Sequence, residues 1–383
     1  MRKLLDFVQR VVQRRNQAPT LNAYTGSGLD WMMYGEDNLY PQQLVKLLNS
    51  PTHLSIVNTK TDMAYGAGPR FADVDVASGA SQAFISACGG DPDPMLRALI
   101  RDIIIYGGCA IHITMGATLD SIVALERADF KTIRLQDPSK LADLTPKYAY
   151  QSPDWSQYSL SKLKPKPYPL WASGIIEAQS ICYYAGQSDI TDYYPSPDYL
   201  GAINWALTEI EIGNYHRNNV SNMFRPDVMI SMPDTVAEDE RLAFVKELSE
   251  NYQGTDRAGG VLVLWAPIDR ATGTLLTPQI TPMPTTSNAD LYLVTLQQCQ
   301  QSIITAHRLP SPTLAGLAGQ GGLGGNASEI ATSFDYFYNT VCRGYVRRLA
   351  DALWPLLRAM GFMQPIDFAS SLPFTFTTQQ PAP

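Results

Sequence analysis

The sequence predicts an α+β fold of two to three domains. Four stretches carry apolar side chains at helical spacing: 95–106, 198–224, 288–308 and 328–360. Short β-rich runs cluster between 110 and 184, and a strand–helix–strand pattern occupies 228–265. Runs of strands and runs of helices in separate parts of a chain are typical of α+β proteins. With 383 residues, of which 45% are hydrophobic, the chain can build a sizeable core.

The first 16 residues predict a basic amphipathic helix. Five basic side chains alternate with apolar ones: Arg2, Lys3, Arg10, Arg14 and Arg15. A secretory signal needs an uninterrupted apolar stretch, which this segment lacks. Two interpretations stay open, because such a helix can pack on its own protein or contact a partner or DNA.

Proline and glycine mark the boundaries of the next elements. Helices are predicted from Tyr40 to about 48, from Pro51 to the glycines at 66 and 68, and over 95–106 before Gly107. Strands are predicted at 110–114, 121–125, 131–135 and 181–184. The polar, Pro-rich stretch 148–173 predicts a loop or loose hairpin between them.

The longest helix predicted in the first half of the chain covers 198–224. At 1.5 Å per residue it would be about 40 Å long. A small α/β insert follows, with strands at 228–232 and 260–265 around a helix at 235–252. Helix 288–308 then leads into the Gly-rich segment 309–326, and helix 328–360 follows with a predicted kink at Pro355. An edge strand is predicted at 373–377.

The Gly-rich segment is the most informative feature of the chain. Its six glycines between 316 and 325 permit positive φ and close approach of the backbone to a partner. Loops of this length inside compact domains usually serve as lids, binding loops or moving parts. The sequence therefore predicts a flexible finger held between two helices.

Composition excludes several classes of protein. The formal net charge of −7 and the pI near 5.2 argue against a surface that grips phosphates throughout. No apolar run reaches the ~18 residues of a membrane span. Five widely spaced cysteines without a CxxC pair predict reduced, buried thiols of a cytosolic protein. Low charge (17%) together with 20 tyrosines indicates subunit interfaces.

An enzymatic interpretation has one motif in its favour. Residues 319–324 match GxGxxG and precede a helix, but the stretch before them is helical rather than a strand, and no Lys-Ser/Thr pair follows. A chance match in a Gly-rich loop explains it more simply. The four histidines, His53, His112, His216 and His307, are far apart in sequence and form no metal-binding motif. Asp189, Asp192 and Asp198 fit turn and capping roles. We assign no catalytic residue, metal or cofactor.

The order of these parts resembles the portal proteins of tailed bacteriophages. The segments that carry the resemblance in the first half are 38–41 (Asn-Leu-Tyr-Pro), 50–54 (Ser-Pro-Thr-His-Leu), 63–68 (Met-Ala-Tyr-Gly-Ala-Gly) and 99–107 with Asp102 and Tyr106-Gly107. Those in the second half are 194–200, the long helix, 222–226 leading into 228–232, the run 303–312, the Gly-rich stretch and Glu329. No single segment is specific; their order carries the resemblance.

The resemblance implies a portal-like architecture. It would comprise a mixed wing (1–193), a first stem helix (194–224), a clip (225–287), a second stem helix (288–308), a tunnel loop (309–326), a long wing helix (327–360) and a tail with a wing edge strand (361–383). Only 23 residues follow Met360. The helical crown of larger portals is therefore expected to be minimal or absent.

The function implied is a ring, typically of twelve subunits, at one capsid vertex of a virion that is assembled in the host cytoplasm. Double-stranded DNA would pass through it during packaging and ejection without sequence recognition. The implied partners are further copies of the chain, the large terminase subunit, a head–tail adaptor, and the major capsid and scaffolding proteins, with no membrane. Another head or tail ring component, or a nucleotide-dependent enzyme, is the alternative.

Two sets of residues follow as candidate sites. The channel and tunnel-loop set comprises Gln297, Gln301, Ile304, Arg308, Leu317, Gly319, Gln320, Gly321, Gly322, Leu323, Gly324 and Gly325. Arg308 would either pair across a subunit interface or face DNA. The clip set, for docking of motor and adaptor, comprises Glu238, Asp239, Glu240, Arg241, Lys246, Glu247 and Glu250. The clip helix is also explained by an ordinary solvated face, and mixed charge suits a transient interface.

Overall fold

A computed structural model describes residues 29–156, 164–188, 190–222, 226–233, 238–239, 241–242, 260–266, 288–317 and 327–368. The chain forms two compact units. The first comprises Met1–Leu207 and Cys299–Pro383, and the second comprises Thr208–Gln298. Both boundaries fall inside long helices. Among the described residues, no helix is long and apolar enough to cross a membrane.

Among the described residues, five helices of the first unit precede its three-stranded sheets, and those predicted to begin at Tyr40, Pro51 and residue 95 are confirmed. The five are α1 (Tyr40–Lys46), α2 (Pro51–Tyr65), α3 (Asp73–Ala77), α4 (Ala80–Ala87) and α5 (Asp93–Tyr106). The helix predicted over 1–16 lies outside the described residues. The Ser50 side chain caps α2 by accepting from the His53 amide. Gly107 ends α5 with a φ of 83°, a left-handed conformation that favours glycine.

Two antiparallel three-stranded sheets follow. Their strands are β2 (Gly108–Met115), β3 (Ile122–Arg127) and β7 (Gln179–Ala185), in the order β3-β2-β7, and β4 (Ile133–Leu135), β5 (Tyr148–Gln151) and β6 (Lys166–Pro169), in the order β4-β5-β6. The predicted loose hairpin at 148–173 thus contributes a paired strand at each side. A side chain at position 107 would collide with the backbone of Ser196, and one at position 108 would collide with the backbone of Tyr184.

The core of the first unit forms around α5. Helix α2, strand β2 and the C-terminal helix all pack against α5, and its apolar face is buried at Leu96, Leu99, Ile100 and Ile103. The buried Asp102 carboxylate accepts two hydrogen bonds, of 2.6 and 2.7 Å, from the Arg127 guanidinium of β3. This bidentate pair ties the helix to the sheet.

The C-terminal helical stretch has the predicted extent but is less regular than the sequence predicts. It consists of α8 (Ala327–Phe337), a π-helical turn (Tyr338–Cys342) and α9 (Arg343–Ala359). Pro355 lies inside α9 and does not end it. The π-turn, which the apolar spacing does not predict, inserts extra backbone into the helix and lies against α2.

A short antiparallel pair of strands connects the N-terminal and C-terminal segments of the first unit. Strands β1 (Pro69–Arg70) and β10 (Asp367–Phe368) form it. The strand predicted at 373–377 lies outside the described residues.

The second unit contains parts of two long helices and two strands. The helices are α6 (Ile203–Asn222) and α7 (Asn288–Ala306), and the strands are β8 (Pro226–Pro233) and β9 (Gly260–Ala266). The strands pair in parallel, a geometry that requires a crossover between them. Of the predicted crossover helix 235–252, only 238–239 and 241–242 are described, and these are helical.

The first long helix begins later than predicted. The chain runs through Pro195 and Pro197 and then forms a 3-10 turn at Leu200–Ala202 before α6 starts at Ile203. From Ile203 to Asn222 the helix has 20 residues and is about 30 Å long, and the predicted end at 223–224 lies outside the described residues. Proline disfavours helical backbone in the residue before it, which keeps residues 194 and 196 out of the helix. The 3-10 turn then occupies the residues directly before α6.

Candidate functional site: a buried polar junction beside the Gly-rich segment

The predicted channel residues occupy different environments. Gln297 and Gln301 are exposed, whereas Ile304 is only 8% exposed and packs in the core of the first unit. Apolar neighbours within the chain cover the Ile304 side chain, and the channel role of this set stays a prediction. Arg308 is exposed, and it forms no ion pair with any residue that the structure describes. Leu317 is half-buried, and the predicted loop residues from Gly319 to Gly325 lie outside the described residues.

Only part of the predicted clip set is described. Glu238 and Asp239 are exposed and Arg241 is half-buried. Glu240, Lys246, Glu247 and Glu250 lie outside the described residues. The docking role of this set stays a prediction.

The end of α7 sets the direction in which the chain enters the Gly-rich segment. The Arg308 amide donates to the Thr305 carbonyl and the Leu309 amide donates to the Ile304 carbonyl, at 2.9 and 3.1 Å. These two bonds form a Schellman motif, whose turning residue must adopt left-handed backbone. Arg308 does so with a φ of 57°, although it has a Cβ atom.

Two histidines meet beside this turn. His53 Nδ1 on α2 and His307 Nε2, one residue beyond α7, are 2.9 Å apart, and both side chains are at most 1% exposed. Tyr199 stacks on the His307 ring with centroids 5.1 Å apart, and it meets the His53 ring edge-on. The two outer ring nitrogens have no hydrogen-bond partner among the described residues.

The histidine pair is neutral because of its surroundings. One ring must donate and the other accept, so that a single proton lies between them. Burial, together with the Lys60 ammonium, lowers the pKa of His53 from 6.5 to about 4. Burial also lowers the pKa of His307 well below its usual range, with further contributions from Lys60 and His53. Adding a proton would place a second cation in this buried space.

Lys60 lies two turns beyond His53 on the same face of α2. Its ammonium is 1% exposed and is 3.1 Å from the Tyr345 hydroxyl of α9. Burial lowers the pKa of Lys60 to about 8, while the Asp198 carboxylate opposes that shift. Asp198 also forms an ion pair with Arg348, with an N–O distance of 3.1 Å. The carboxylate that favours the charged form of Lys60 thus belongs to an ion pair at the edge of the cluster. Of the other two aspartates considered, Asp192 is exposed and Asp189 is not described.

We call these five residues the junction: His53, Lys60, Tyr199, His307 and Tyr345. A further bond extends it toward the Gly-rich segment, because the Ser55 hydroxyl of α2 donates to the Ala315 carbonyl. Ala315 ends a 3-10 turn, Pro312–Ala315, against which α8 packs on its return from the segment. The described residues on both sides of 318–326 therefore lie close together, because the 3-10 turn packs against both α2 and α8.

The junction could not be predicted from the sequence. His53 and His307 are separated by 254 residues, which gives no reason to pair them. One signal was present in the sequence. His53, Ile56, Val57 and Lys60 follow helical spacing, and all four are buried. Two polar side chains in an apolar helical stripe indicate a buried polar cluster.

The fold is shared with chains of gene transfer agent (GTA) particles. A chain from the virion of a native GTA particle matches with a TM-score of 0.52 and 15% identity, over 91% of this chain and 85% of that one. A chain from the neck of a native GTA particle, computed with C12 symmetry, matches with a TM-score of 0.50 and 14% identity, over 94% and 88%. A chain from the neck of an empty particle, computed with C6 symmetry, matches with a TM-score of 0.50 and 14% identity, over 86% and 84%.

These likenesses cover nearly the whole chain and agree with the portal-type resemblance of the sequence. No protein-family model and no curated protein matches the sequence.

Proposed function

We propose that this chain is a portal-type protein that closes into a ring, typically of twelve copies, at one vertex of a capsid. Double-stranded DNA passes through the ring during packaging and ejection. The observation that carries the proposal is the fold shared with GTA virion and neck chains over about nine-tenths of this chain. The order of portal-like segments in the sequence supports it independently.

Charge supports a conduit rather than a DNA clamp. Each chain has a formal net charge of −7, so a ring of copies is strongly acidic. Non-specific affinity for DNA comes mainly from lysine and arginine contacts to phosphates. An acidic bore with few such contacts lets DNA slide through, which translocation requires.

The Gly-rich segment suits the role of a tunnel loop. The 3-10 turn before the segment, Pro312–Ala315, packs against α8, which follows the segment, so its two described flanks are neighbours. The clip set then serves as the docking surface for the large terminase subunit and later for the head–tail adaptor. The capsid and scaffolding proteins would contact the wing.

The nucleotide-enzyme alternative has less support. In a dinucleotide-binding motif, GxGxxG follows a strand, whereas here the preceding elements are α7 and a 3-10 turn. This alternative predicts saturable nucleotide binding by a monomer or dimer. Calorimetry with ATP and NAD distinguishes it, because a ring-forming conduit should give no saturable heat.

Imaging of the purified full-length protein tests the proposal directly. We expect closed rings with a central hole by negative-stain electron microscopy, and a native mass that corresponds to many copies. A monodisperse monomer at micromolar concentration would contradict the proposal.

A loop deletion separates a portal from another ring component. Shortening 316–325 should leave ring assembly intact but impair DNA packaging or retention. A matched control replaces glycines in the same stretch with serine at constant length, which keeps the reach of the segment. Unchanged particle yield after shortening would remove the tunnel-loop assignment but not the ring.

A further inference from the structure

The structure assigns a positioning role to the junction: helix α2 holds both flanks of the Gly-rich segment through the His53–His307 and Lys60–Tyr345 hydrogen bonds, and so fixes where the tunnel loop leaves the body of the protein. This inference rests on the proposed function only where it identifies the Gly-rich segment as a tunnel loop. The contacts that carry it lie within the first unit.

The upstream flank is held at two points. His53 binds His307 immediately after α7, and Ser55, half a turn further along α2, binds the Ala315 carbonyl. Between these points the chain makes the Schellman turn at Arg308. Two side chains of one helix therefore fix both ends of the short path from α7 to the start of the Gly-rich segment.

The same helix holds the C-terminal stretch beyond α8, and α8 itself packs on the 3-10 turn Pro312–Ala315. Lys60 donates to the Tyr345 hydroxyl near the start of α9, and α2 packs on the π-turn that precedes α9. A π-turn breaks the regular hydrogen-bond ladder, so packing against α2 has to determine the direction of α8 on its far side. Moving α2 would thus move both arms of the loop together.

The polar composition of the junction supports positioning over simple stability. A buried ammonium costs more than an apolar side chain of similar size, and so do two buried imidazoles whose outer nitrogens have no partner among the described residues. An aromatic or aliphatic cluster would pack these helices at lower cost. The polar groups fix the relative orientation of α2, the end of α7 and the start of α9, because hydrogen bonds form only at particular distances and angles.

Spin labelling of the full-length protein tests the assignment. A nitroxide is attached at Gln320→Cys within the loop, in a Cys88→Ser background because Cys88 is the least buried of the native thiols. His307→Phe keeps a ring to stack on Tyr199 but removes the hydrogen bond. We expect the label to tumble about twofold faster or more in His307→Phe. His112→Phe, on strand β2 in the same unit, is the matched control and should leave the spectrum unchanged.

A conservative variant separates positioning from packing. The Gln side chain places an amide group near the location of the His Nε2 atom, so His307→Gln can restore the bond to His53 Nδ1. We expect it to return the label to wild-type motion. Ser55→Ala serves as a second variant, because it removes one hydroxyl from a half-buried site and should raise loop motion by a smaller factor.

The outcomes are separable. An unchanged spectrum in both His307→Phe and Ser55→Ala would overturn the positioning role, whether or not rings form. Faster motion in His307→Phe that His307→Gln does not reverse would also overturn it, since packing alone would then explain the effect. Imaging of the same samples reports on the ring, so failure of the proposed function is recognised independently of the loop measurement.

Discussion

The two ends of α7 differ in what surrounds them. In its last two turns, Cys299 and Ile303 are fully buried within the first unit. Earlier in the same helix, in the second unit, Leu293 is 60% exposed and Val294 is 59% exposed. Within the part of the chain that the structure describes, apolar neighbours cover the first stretch and leave the second exposed. Exposed apolar side chains on a regular helix indicate a surface that another protein covers, and in the proposed ring that protein is the next copy.

The largest expected effect comes from making this exposed stretch polar. Leu293→Asp should abolish ring formation while leaving the single chain folded, because a charge would be buried at each copy-to-copy contact. Gln298→Asp, an exposed polar position on the same helix, adds the same charge without removing apolar surface and should still form rings. Native mass spectrometry and circular dichroism measure assembly and fold separately. Rings of normal size in Leu293→Asp would show that this surface is not an interface.

Truncating the same residue type in the two environments sharpens the comparison. Leu353→Ala, at a fully buried position of α9, should lower the free energy of unfolding by about 2–5 kcal/mol. Leu293→Ala should change it by less than about 0.5 kcal/mol. Urea denaturation of both variants under dissociating conditions provides the values. A large loss in Leu293→Ala would mean that its neighbours lie within the chain.

The junction should make stability depend on acid pH. The pKa of His53 is lowered to about 4 in the folded chain, so between pH 6.5 and 4 the unfolded chain binds a proton that the folded chain does not. Stability therefore falls as pH decreases through this range, by about 3 kcal/mol if the whole shift is expressed. His53→Asn should flatten this dependence while retaining a hydrogen-bonding group near the Nδ1 location.

The stability of the wild-type protein has to be compared with that of His53→Asn, because Asp102 makes stability depend on pH in the opposite direction. Burial raises the pKa of Asp102 to about 6 despite its bond to Arg127, and this makes the folded chain bind the extra proton between about pH 4 and 6. Subtracting the pH dependence of His53→Asn from that of the wild-type protein removes the Asp102 contribution. Equal slopes of unfolding free energy against pH would contradict the assignment of a neutral buried pair.

The smallest effect is expected at the Schellman turn. Arg308→Gly relieves a left-handed conformation at a residue with a Cβ atom and should stabilise the protein by up to about 1 kcal/mol. Arg308→Ala loses the same charge but keeps the Cβ atom, so it should give no gain. Thermal unfolding measures both. A gain of equal size in the alanine variant would assign the effect to charge instead of backbone.

Much of the fold could be predicted from local signals. Ser50-Pro51, Gly107 and the alternating run at 110–114 each report on the backbone of a few neighbouring residues, and the corresponding elements α2, α5 and β2 are confirmed. Errors arose where local signals compete. The apolar residues at 198–210 fit helical spacing, but a 3-10 turn at Leu200–Ala202 precedes α6. The apolar residues at 337, 341 and 345 are spaced by four, which fits an ordinary α-helix as well and did not indicate the π-turn.

The candidate site was much less predictable. Helical spacing placed Ile304 on one face with Gln297 and Gln301, but spacing cannot say which face the core will cover, and Ile304 is buried. His53 and His307 are ordinary residues in the sequence. Their pairing depends on how α2 and the end of α7 pack, and no neighbouring residue encodes it.

By itself, the sequence determined the order of the helices and strands, the acidic charge and the presence of a glycine-rich segment between two helices. These depend on backbone preferences and composition, which act over a few residues at a time. The tertiary structure alone decided that α2 gathers His307, Ala315 and Tyr345 around its own polar side chains. Contacts between residues that are hundreds of positions apart form only when burial of apolar surface brings their elements together.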